Sequence, residues 1–471
     1  MIDINNKKIL INSIIYVVGP QLPRILGLFL MPILTPYLST TDYAMWGLTV
    51  AIVYLFNAGR DAGMSVLLVN SFFKYPKRWK FIWRYLFGYL ILWGLLLGIL
   101  QSLIIWMVFR NTTPSWVVSI IILYFIQFVV FDLIVFLGIR YYQLEEKPYS
   151  VSIISIIGGL VGLFVLFYSV IIVNIGFMGW ILSSFVSSGL MCLMYSFLVI
   201  KRNKLFPIFS FKKNRLSRVA RTSFPMLPHS YSPYLLNTSD RFMLSAYQVP
   251  VRDIGIYNVA YSFGNYLEGL GSAIGVAVGP AYMKLFAKAE AGEAEVKKIT
   301  HILQLIFVTG TFLLAVWARE LFGLLFRNKD FNKAYILGIV IIMGYSYRPL
   351  YWAVIGKIQF EERTQLMWKI SFLAGIVNVI LNAIFIPFWG IYSATLMTLI
   401  ALLFQGFSGY FFFRAATFVS KMSLLVWFIV IILLTVIAYL CRDQDILMKL
   451  YITLISIAIS IFFYYEMKKK L

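Results

Sequence analysis

Long apolar blocks dominate this chain, and each is long enough to cross a membrane. The blocks run for about 20 residues or more between short polar segments, and a helix of that length crosses a ~30 Å hydrocarbon core. A membrane-spanning strand would need only ~10 residues of alternating polarity, and the chain lacks that pattern. The pattern predicts an all-α integral membrane protein with about 14 transmembrane helices, over residues 9–37, 43–70, 81–109, 116–140, 150–173, 177–200, 219–247, 254–284, 299–320, 333–356, 364–387, 389–413, 421–440 and 446–466.

The basic residues orient these helices. With the N-terminus placed in the cytoplasm, 29 of the 41 Lys and Arg residues fall in cytoplasmic loops and helix ends, and seven fall outside. This asymmetry predicts that both termini are cytoplasmic. It also accounts for the net charge of +22 through topology and contact with anionic lipid. The lipid bilayer is therefore an expected partner, and nucleic acid is not.

The chain leaves little room for a soluble catalytic domain. It is 61% hydrophobic, and the longest extramembrane segment is a basic connector over residues 201–218. The first span is too long for a cleaved signal peptide. Cys192 and Cys441 form no metal or disulfide motif. We therefore predict no enzyme activity, no catalytic residues, no metal and no cofactor.

Two sequence matches indicate an internal repeat. Residues 143–147 read QLEEK and residues 359–363 read QFEER, an offset of 216. Residues 42–46 read DYAMW and residues 253–257 read DIGIY, at a similar offset. Six spans separate the copies, so the two halves have the same orientation in the membrane.

The repeat predicts the domain organisation. Two pseudo-symmetric six-helix bundles would occupy residues 1–200 and 219–414, joined by the connector at 201–218. Two accessory helices would follow at residues 415–471. A cavity between two such bundles, open to each side in turn, is the usual geometry of a transporter.

The chain resembles a known family over its whole length. The local marks are residues 237–247, NTSDRFMLSAY, then residues 254–261, IGIYNVAY, and the proline-bearing first helix that runs into residues 32–38, PILTPYL. In these features it is similar to the polysaccharide-repeat, or O-antigen, flippases of the multidrug/oligosaccharidyl-lipid/polysaccharide exporter superfamily.

The resemblance implies a pair of helical bundles around a cationic central cavity. It also implies that an undecaprenyl-diphosphate-linked oligosaccharide moves from the cytoplasmic to the outer leaflet by alternating access. The expected location is the bacterial inner membrane, in lipopolysaccharide synthesis. A polysaccharide polymerase and a chain-length regulator are candidate further partners.

Charged residues inside the predicted spans are the candidate functional groups. A charge at the bilayer centre costs at least ~2.5–3.5 kcal/mol, so such residues tend to face a partner or a water-filled cavity. Guanidinium groups suit a diphosphate because they stay protonated and bind phosphate oxygens in pairs. The predicted diphosphate or sugar ligands are Arg24, Arg60, Arg241 and Arg348. The predicted ion-coupling residues or charge partners are Glu268, Asp61, Asp132 and Asp240.

Several alternatives stay open from the sequence alone. Each arginine could instead pair with a nearby acid and fix two helices together. Glu268, which has glycines on both sides, is the preferred site for coupling to an H+ or Na+ gradient, and a structural partner for an arginine is its alternative role. A drug or metabolite antiporter of the same fold, a lipid II flippase and a membrane-embedded glycosyltransferase or polymerase are the competing functions.

Overall fold

A computed structural model describes residues 4–210, 217, 219, 223–224, 227–363 and 365–470. Every regular element in these residues is helical, which confirms the predicted all-α fold class. Eight helical runs in this part of the chain are long and apolar enough to cross a membrane.

The helices of the first half run in chain order as α1 to α8. Their bounds are α1 (Ile4–Leu34), α2 (Thr40–Gly59), α3 (Ser65–Lys74), α4 (Trp79–Phe109), α5 (Val117–Ile126), α6 (Asp132–Leu144), α7 (Pro148–Phe167) and α8 (Met178–Ser196). Short π-helical turns extend three of them, at Gln127–Phe131, Tyr168–Ile172 and Phe197–Arg202.

In the described part of the second half, the helices continue as α9 to α18. Their bounds are α9 (Leu227–Asn237), α10 (Ser239–Ala246), α11 (Val251–Phe286), α12 (Ala289–Val316), α13 (Ala318–Leu325), α14 (Ala334–Gly344), α15 (Arg348–Phe360), α16 (Gln365–Phe411), α17 (Lys421–Leu440) and α18 (Ile446–Lys470). Short 3-10 turns lie at Thr35–Tyr37, Lys329–Phe331 and Tyr345–Tyr347.

Helical runs coincide with all the predicted spans, but several are interrupted. The span predicted at 43–70 is α2 and α3 with a turn at 60–64, and the span at 219–247 breaks at Thr238. Conversely, α16 covers two predicted spans and bends at Gly390, where φ is 54° and ψ is −128°. Only glycine adopts that backbone conformation readily, which explains the residue at the bend.

The chain forms two compact units. Unit 1 comprises Met1–Leu30 and Met45–Tyr234, and unit 2 comprises Met31–Ala44 and Leu235–Leu471. The predicted domain bounds at residues 200, 218 and 414 stay a prediction.

The core of unit 1 is built around close glycine contacts and buried aromatic rings. Trp83 is 1% exposed, and its Nε1 donates a hydrogen bond to the Leu68 carbonyl at 3.1 Å. A Cβ at Gly138 would lie 2.2 Å from the ring of Tyr195, so α6 and α8 meet only because residue 138 lacks a side chain.

The start of the predicted connector packs against α4. The Ile208 N–H donates to the Arg84 carbonyl at 2.9 Å, and Arg84 Nε donates to the Phe206 carbonyl at 2.9 Å. A Cβ at Gly88 would lie 2.3 Å from the Ile208 oxygen, so the segment crosses α4 at a glycine. Connector residues 211–216 and 218 lie outside the described residues, as do residues 220–222 and 225–226 of the predicted span 219–247.

In unit 2, the two C-terminal helices are fixed to the rest by polar pairs. Trp427 Nε1 donates to His301 Nδ1 at 2.9 Å. Lys449 is fully buried and donates to both carboxylate oxygens of Glu320, at 2.8 and 2.9 Å. Helices α17 and α18 are thus part of unit 2.

The segment Met31–Ala44 also belongs to unit 2, although it joins α1 to α2. Thr35 Oγ1 donates to the Leu325 carbonyl at 3.3 Å, and Asn328 Nδ2 donates to the Leu38 carbonyl at 2.9 Å. These bonds fix the segment to the loop region between α13 and α14.

The first repeat match has the same backbone structure in both copies. Glu146 and Glu362 each have a positive φ, of 53° and 56°. The N–H of Lys147 bonds to the Tyr142 carbonyl, and the N–H of Arg363 bonds to the Ile358 carbonyl, at 2.9 and 3.0 Å. Both helices thus end in the same capped turn at an offset of 216, as expected of structural repeats.

Candidate functional site

Arg24 lies on the exposed face of α1. Its neighbour Pro23 is buried, because α1 packs there against Gly159 of α7, where a Cβ would lie 2.4 Å from the Pro23 ring. Arg24 Nη1 donates to Gln21 Oε1 at 3.3 Å. Among the described residues it has no ion pair with an acid, so this guanidinium is available to a ligand.

In unit 1, Arg60 forms an ion pair with Asp132. Arg60 lies just after the end of α2, and its Nη1 is 2.9 Å from Asp132 Oδ2. Asp132 begins α6 directly after the π turn Gln127–Phe131. The side chains of Arg60 and Asp132 are 24% and 16% exposed, so the pair is largely shielded.

Asp61 stabilises the turn that separates α2 from α3. Its Oδ1 accepts a hydrogen bond from the Gly63 N–H at 3.0 Å. Ala62 and Gly63 both have a positive φ in this turn. The contact is the common Asx-type turn, so the described geometry gives Asp61 a backbone role.

In unit 2, Arg348 forms an ion pair with Glu268. Its Nη2 lies 3.4 Å from Glu268 Oε1, and the same oxygen accepts a hydrogen bond from Asn237 Nδ2 at 3.2 Å. The guanidinium also lies 5.4 and 5.8 Å from the ring centroids of Tyr345 and Tyr347. These rings stabilise the cation at a site where its residue is only 8% exposed.

Asp240 and Arg241 belong to a buried network at the break between α9 and α10. Arg241 Nε donates to Asn258 Oδ1 at 2.6 Å, and the guanidinium lies 4.3 Å from the centroid of the Tyr261 ring. Asp240 is fully buried and accepts a hydrogen bond from the Tyr257 hydroxyl. Arg241, which is 4% exposed, is thus occupied by protein partners.

The same break explains why a buried asparagine lies nearby. The discontinuity at Thr238 frees carbonyl groups of α9, which need partners inside a membrane. Asn378 Nδ2 donates to the carbonyls of Leu235 and Leu236, at 3.1 and 3.0 Å. Arg241 Nη1 donates to the carbonyl of Asn237 at 2.9 Å.

Taken together, the candidate arginines fall into three states. Arg24 has no acidic partner in the described chain, Arg60 and Arg348 each have one, and Arg241 is held on several sides. Arg24 is therefore the candidate arginine with no acidic partner in the described residues, whereas Arg60 and Arg348 each have a carboxylate in place.

Sequence reasoning missed Asn237 as a member of this site. It lies in the quoted run NTSDRFMLSAY, but an asparagine within an apolar block carries no charge that would single it out. Its position at the end of a broken helix, just before Thr238, is visible only in the structure.

The family comparison decides the class of the chain. A family described as polysaccharide biosynthesis protein matches residues 9–286, which is more than half of the sequence. The chain belongs to this family. No curated protein matches it in sequence.

Solved structures place this family member in a known fold. The chain is similar to "Lipid II flippase MurJ, inward closed conformation", at 16% identity and a TM-score of 0.71 over 96% of this chain and 97% of that one. It is also similar to an inward-facing multidrug resistance MATE family transporter of the MOP superfamily, at 15% identity and a TM-score of 0.61 over 88% and 98% of the two chains. A third likeness is to a MOP superfamily transporter from Pyrococcus furiosus, at 14% identity and a TM-score of 0.56 over 87% and 95%.

These likenesses confirm the predicted superfamily fold for this member of the polysaccharide biosynthesis family. The fold is one that solved membrane transporters adopt.

Proposed function

We propose that this protein is a flippase for a lipid-linked oligosaccharide. Its cargo would be an undecaprenyl-diphosphate-linked repeat unit, which passes from the cytoplasmic to the outer leaflet by alternating access through a cationic cavity. The observation that carries the proposal is Arg24, an exposed guanidinium in the first predicted membrane span with no acidic partner in the described chain. A cation that costs energy in the membrane needs a compensating anion, and a diphosphate supplies one.

The spacing of three arginines along their helices supports passage of a charged group. At 1.5 Å per residue, Arg24 lies about 15 Å from the Leu34 end of α1. By the same measure Arg348 lies about 21 Å from the start of α14, and Arg60 about 30 Å from the start of α2. Each distance is measured from the helix end that is predicted to lie on the outer side of the membrane. Arg241 is left out of this relay because protein groups already occupy it.

The wider context of the proposal is a bacterial surface glycan pathway. We place the protein in the inner membrane, where the O-antigen of lipopolysaccharide or a similar polysaccharide would be assembled. A polymerase and a chain-length regulator would act next on the flipped unit. Coupling to an H+ or Na+ gradient, with Glu268 as the preferred group, belongs to the same proposal.

A lipid II flippase is the second candidate, because the chain has the fold of one over nearly its whole length. Both cargoes carry a polyprenyl diphosphate, so the arginines fit either. The two functions differ in the glycan that the protein accepts.

Flipping in reconstituted vesicles tests the proposal. We expect purified protein to expose an undecaprenyl-diphosphate oligosaccharide to a membrane-impermeant oxidant or lectin added outside, whereas empty vesicles should not. A monophosphate-linked glycan should flip at least about tenfold more slowly, since it offers fewer oxygens for charged hydrogen bonds. Lipid II tested in parallel separates the two candidates. Equal exposure with and without protein would contradict both.

Cysteine labelling tests the proposed orientation. Lys77→Cys and Lys329→Cys replace exposed lysines in a predicted cytoplasmic loop and a predicted outer loop. In a background without Cys192 and Cys441, an impermeant maleimide added to intact cells should label residue 329 and spare residue 77 until the cells are opened. Labelling of both from one side would refute the topology.

A further inference from the structure

Glu268 is a weakly held counter-ion of Arg348. The separation of 3.4 Å between Arg348 Nη2 and Glu268 Oε1 exceeds the roughly 2.7–2.9 Å usual for a charge-assisted hydrogen bond. The Glu268 side chain is 31% exposed while that of Arg348 is 10% exposed. The acid is therefore the more accessible and the more easily displaced member of the pair.

Arg348 has an N–H donor that could bind an anion. Its Nε is buried and has no hydrogen-bond partner among the described residues. Its residue is more than nine-tenths buried, so the open donor is costly unless a ligand supplies an acceptor. Phosphate oxygens match the paired donors of a guanidinium.

Asn237 is positioned to keep its hydrogen bond to the Glu268 carboxylate when the ion pair between Glu268 and Arg348 breaks. The Asn237 carbonyl accepts a hydrogen bond from Arg241 Nη1 at 2.9 Å, which fixes the end of α9. From that fixed point its Nδ2 donates to Glu268 Oε1 at 3.2 Å, the same oxygen that faces Arg348. Glu268 thus has two partners. A ligand can displace it from Arg348, whereas its hydrogen bond to Asn237 can remain.

We propose that Glu268 exchanges with a phosphate of the cargo at Arg348, and that Asn237 is the positioning residue that retains the released carboxylate. This inference rests on the proposed function. In the empty state Arg348 is neutralised by Glu268. In the loaded state it is neutralised by the phosphate, while Asn237 and water hold Glu268. Arg348 therefore has an anionic partner in both states, and the returning carboxylate helps to release the cargo.

The pair in unit 1 provides a contrast. Arg60 Nη1 and Asp132 Oδ2 are 2.9 Å apart, compared with 3.4 Å between Arg348 Nη2 and Glu268 Oε1. The Asp132 side chain is only 16% exposed. Asp132 is therefore held more firmly than Glu268, and the exchange is assigned to the pair in unit 2.

Binding of inorganic pyrophosphate to the purified full-length protein, measured by calorimetry, tests the exchange. Glu268→Gln removes the competing charge, so the Kd should fall about tenfold. Asp330→Asn is the matched control, because it removes one exposed acid that pairs with Arg252. It should leave the Kd within about twofold, since exposed pairs are screened. In an Arg348→Gln background, adding Glu268→Gln should no longer lower the Kd.

A double-mutant cycle tests the positioning residue. Asn237→Leu keeps the approximate side-chain volume and removes the donor, so Glu268 should leave Arg348 less readily and the pyrophosphate Kd should rise about fivefold. In the Glu268→Gln background the same change should have no effect, because no charge remains to be held. A purely structural Asn237 would weaken binding equally in both backgrounds, and that result would overturn its role.

Flipping of the lipid-linked cargo supplies the second readout. Glu268→Gln should slow the maximal rate about tenfold although it binds pyrophosphate more tightly, because release is impaired. If Glu268→Gln and Asp330→Asn bind pyrophosphate alike while Arg348→Gln loses binding, the exchange is wrong and the flippase function stands. If no variant binds pyrophosphate and wild-type protein does not flip, the proposed function fails together with the inference.

Discussion

Arg348→Ala should abolish flipping and also destabilise the protein. The change removes the guanidinium proposed to bind phosphate and leaves Glu268 with Asn237 as its remaining hydrogen-bond partner in the described chain. Loss of one member of a buried ion pair costs about 3–5 kcal/mol, and the partial exposure of Glu268 reduces this to about 2–3 kcal/mol. Flipping in vesicles and thermal unfolding in detergent measure the two effects.

A second variant separates function from stability. Arg348→Ala combined with Glu268→Ala removes both charges, so most of the lost stability should return while flipping stays absent. If the double variant flips at the wild-type rate, Arg348 is a structural residue and the phosphate path does not include it.

Arg24→Ala should remove flipping without loss of stability. Arg24 is exposed and has no acidic partner in the described chain, so its removal breaks no ion pair and should change the free energy of unfolding by less than about 0.5 kcal/mol. Two lost charge-assisted hydrogen bonds to phosphate would lower the flipping rate at low cargo concentration by about 100-fold or more. Surface polysaccharide in cells and flipping in vesicles should both report the loss.

Arg24→Lys is the matched control. It keeps the charge but presents a single ammonium in place of a planar fork, so an intermediate loss of about tenfold is expected. A lipid-facing Arg24 with no role would give the opposite pattern. Its removal would leave flipping unchanged and favour membrane insertion, since a charge in the hydrocarbon costs about 2.5 kcal/mol or more.

The sequence was sufficient to predict the helical membrane fold and most helix positions. Apolar blocks and the asymmetry of basic residues depend on composition along the chain, which a single sequence displays directly. The repeat was also visible, and the matching capped turns at Glu146 and Glu362 support it.

The interruptions were not predictable from hydropathy. The π turn before Asp132 and the 3-10 turn before Arg348 lie inside continuous apolar blocks. Asp132 and Arg348, the residues that directly follow these turns, occupy equivalent positions of the repeat. A change of winding within a block alters the direction of a side chain without altering the average hydrophobicity, so no hydropathy signal marks it.

The sequence alone also could not predict which charged side chains pair with each other. Arg60 pairs with Asp132 although Asp61 is its neighbour in the chain, because the Asp61 carboxylate is bonded to the Gly63 N–H within the turn. Asp240 and Arg241 are adjacent too, yet each has partners on α11, the first through the Tyr257 hydroxyl and the second through the Asn258 amide oxygen. Such choices depend on which helices pack together.

The segment Met31–Ala44 has a consequence for biogenesis. Leu34, Leu38 and Ala44 are almost fully buried in the finished protein, and the hydrogen-bond partners of this segment, Leu325 and Asn328, are made nearly 300 residues later. A chain emerging from the ribosome therefore inserts its first two helices long before the loop between them has anything to pack against. This segment is therefore among the first parts of the chain to be synthesised and among the last to reach its native packing.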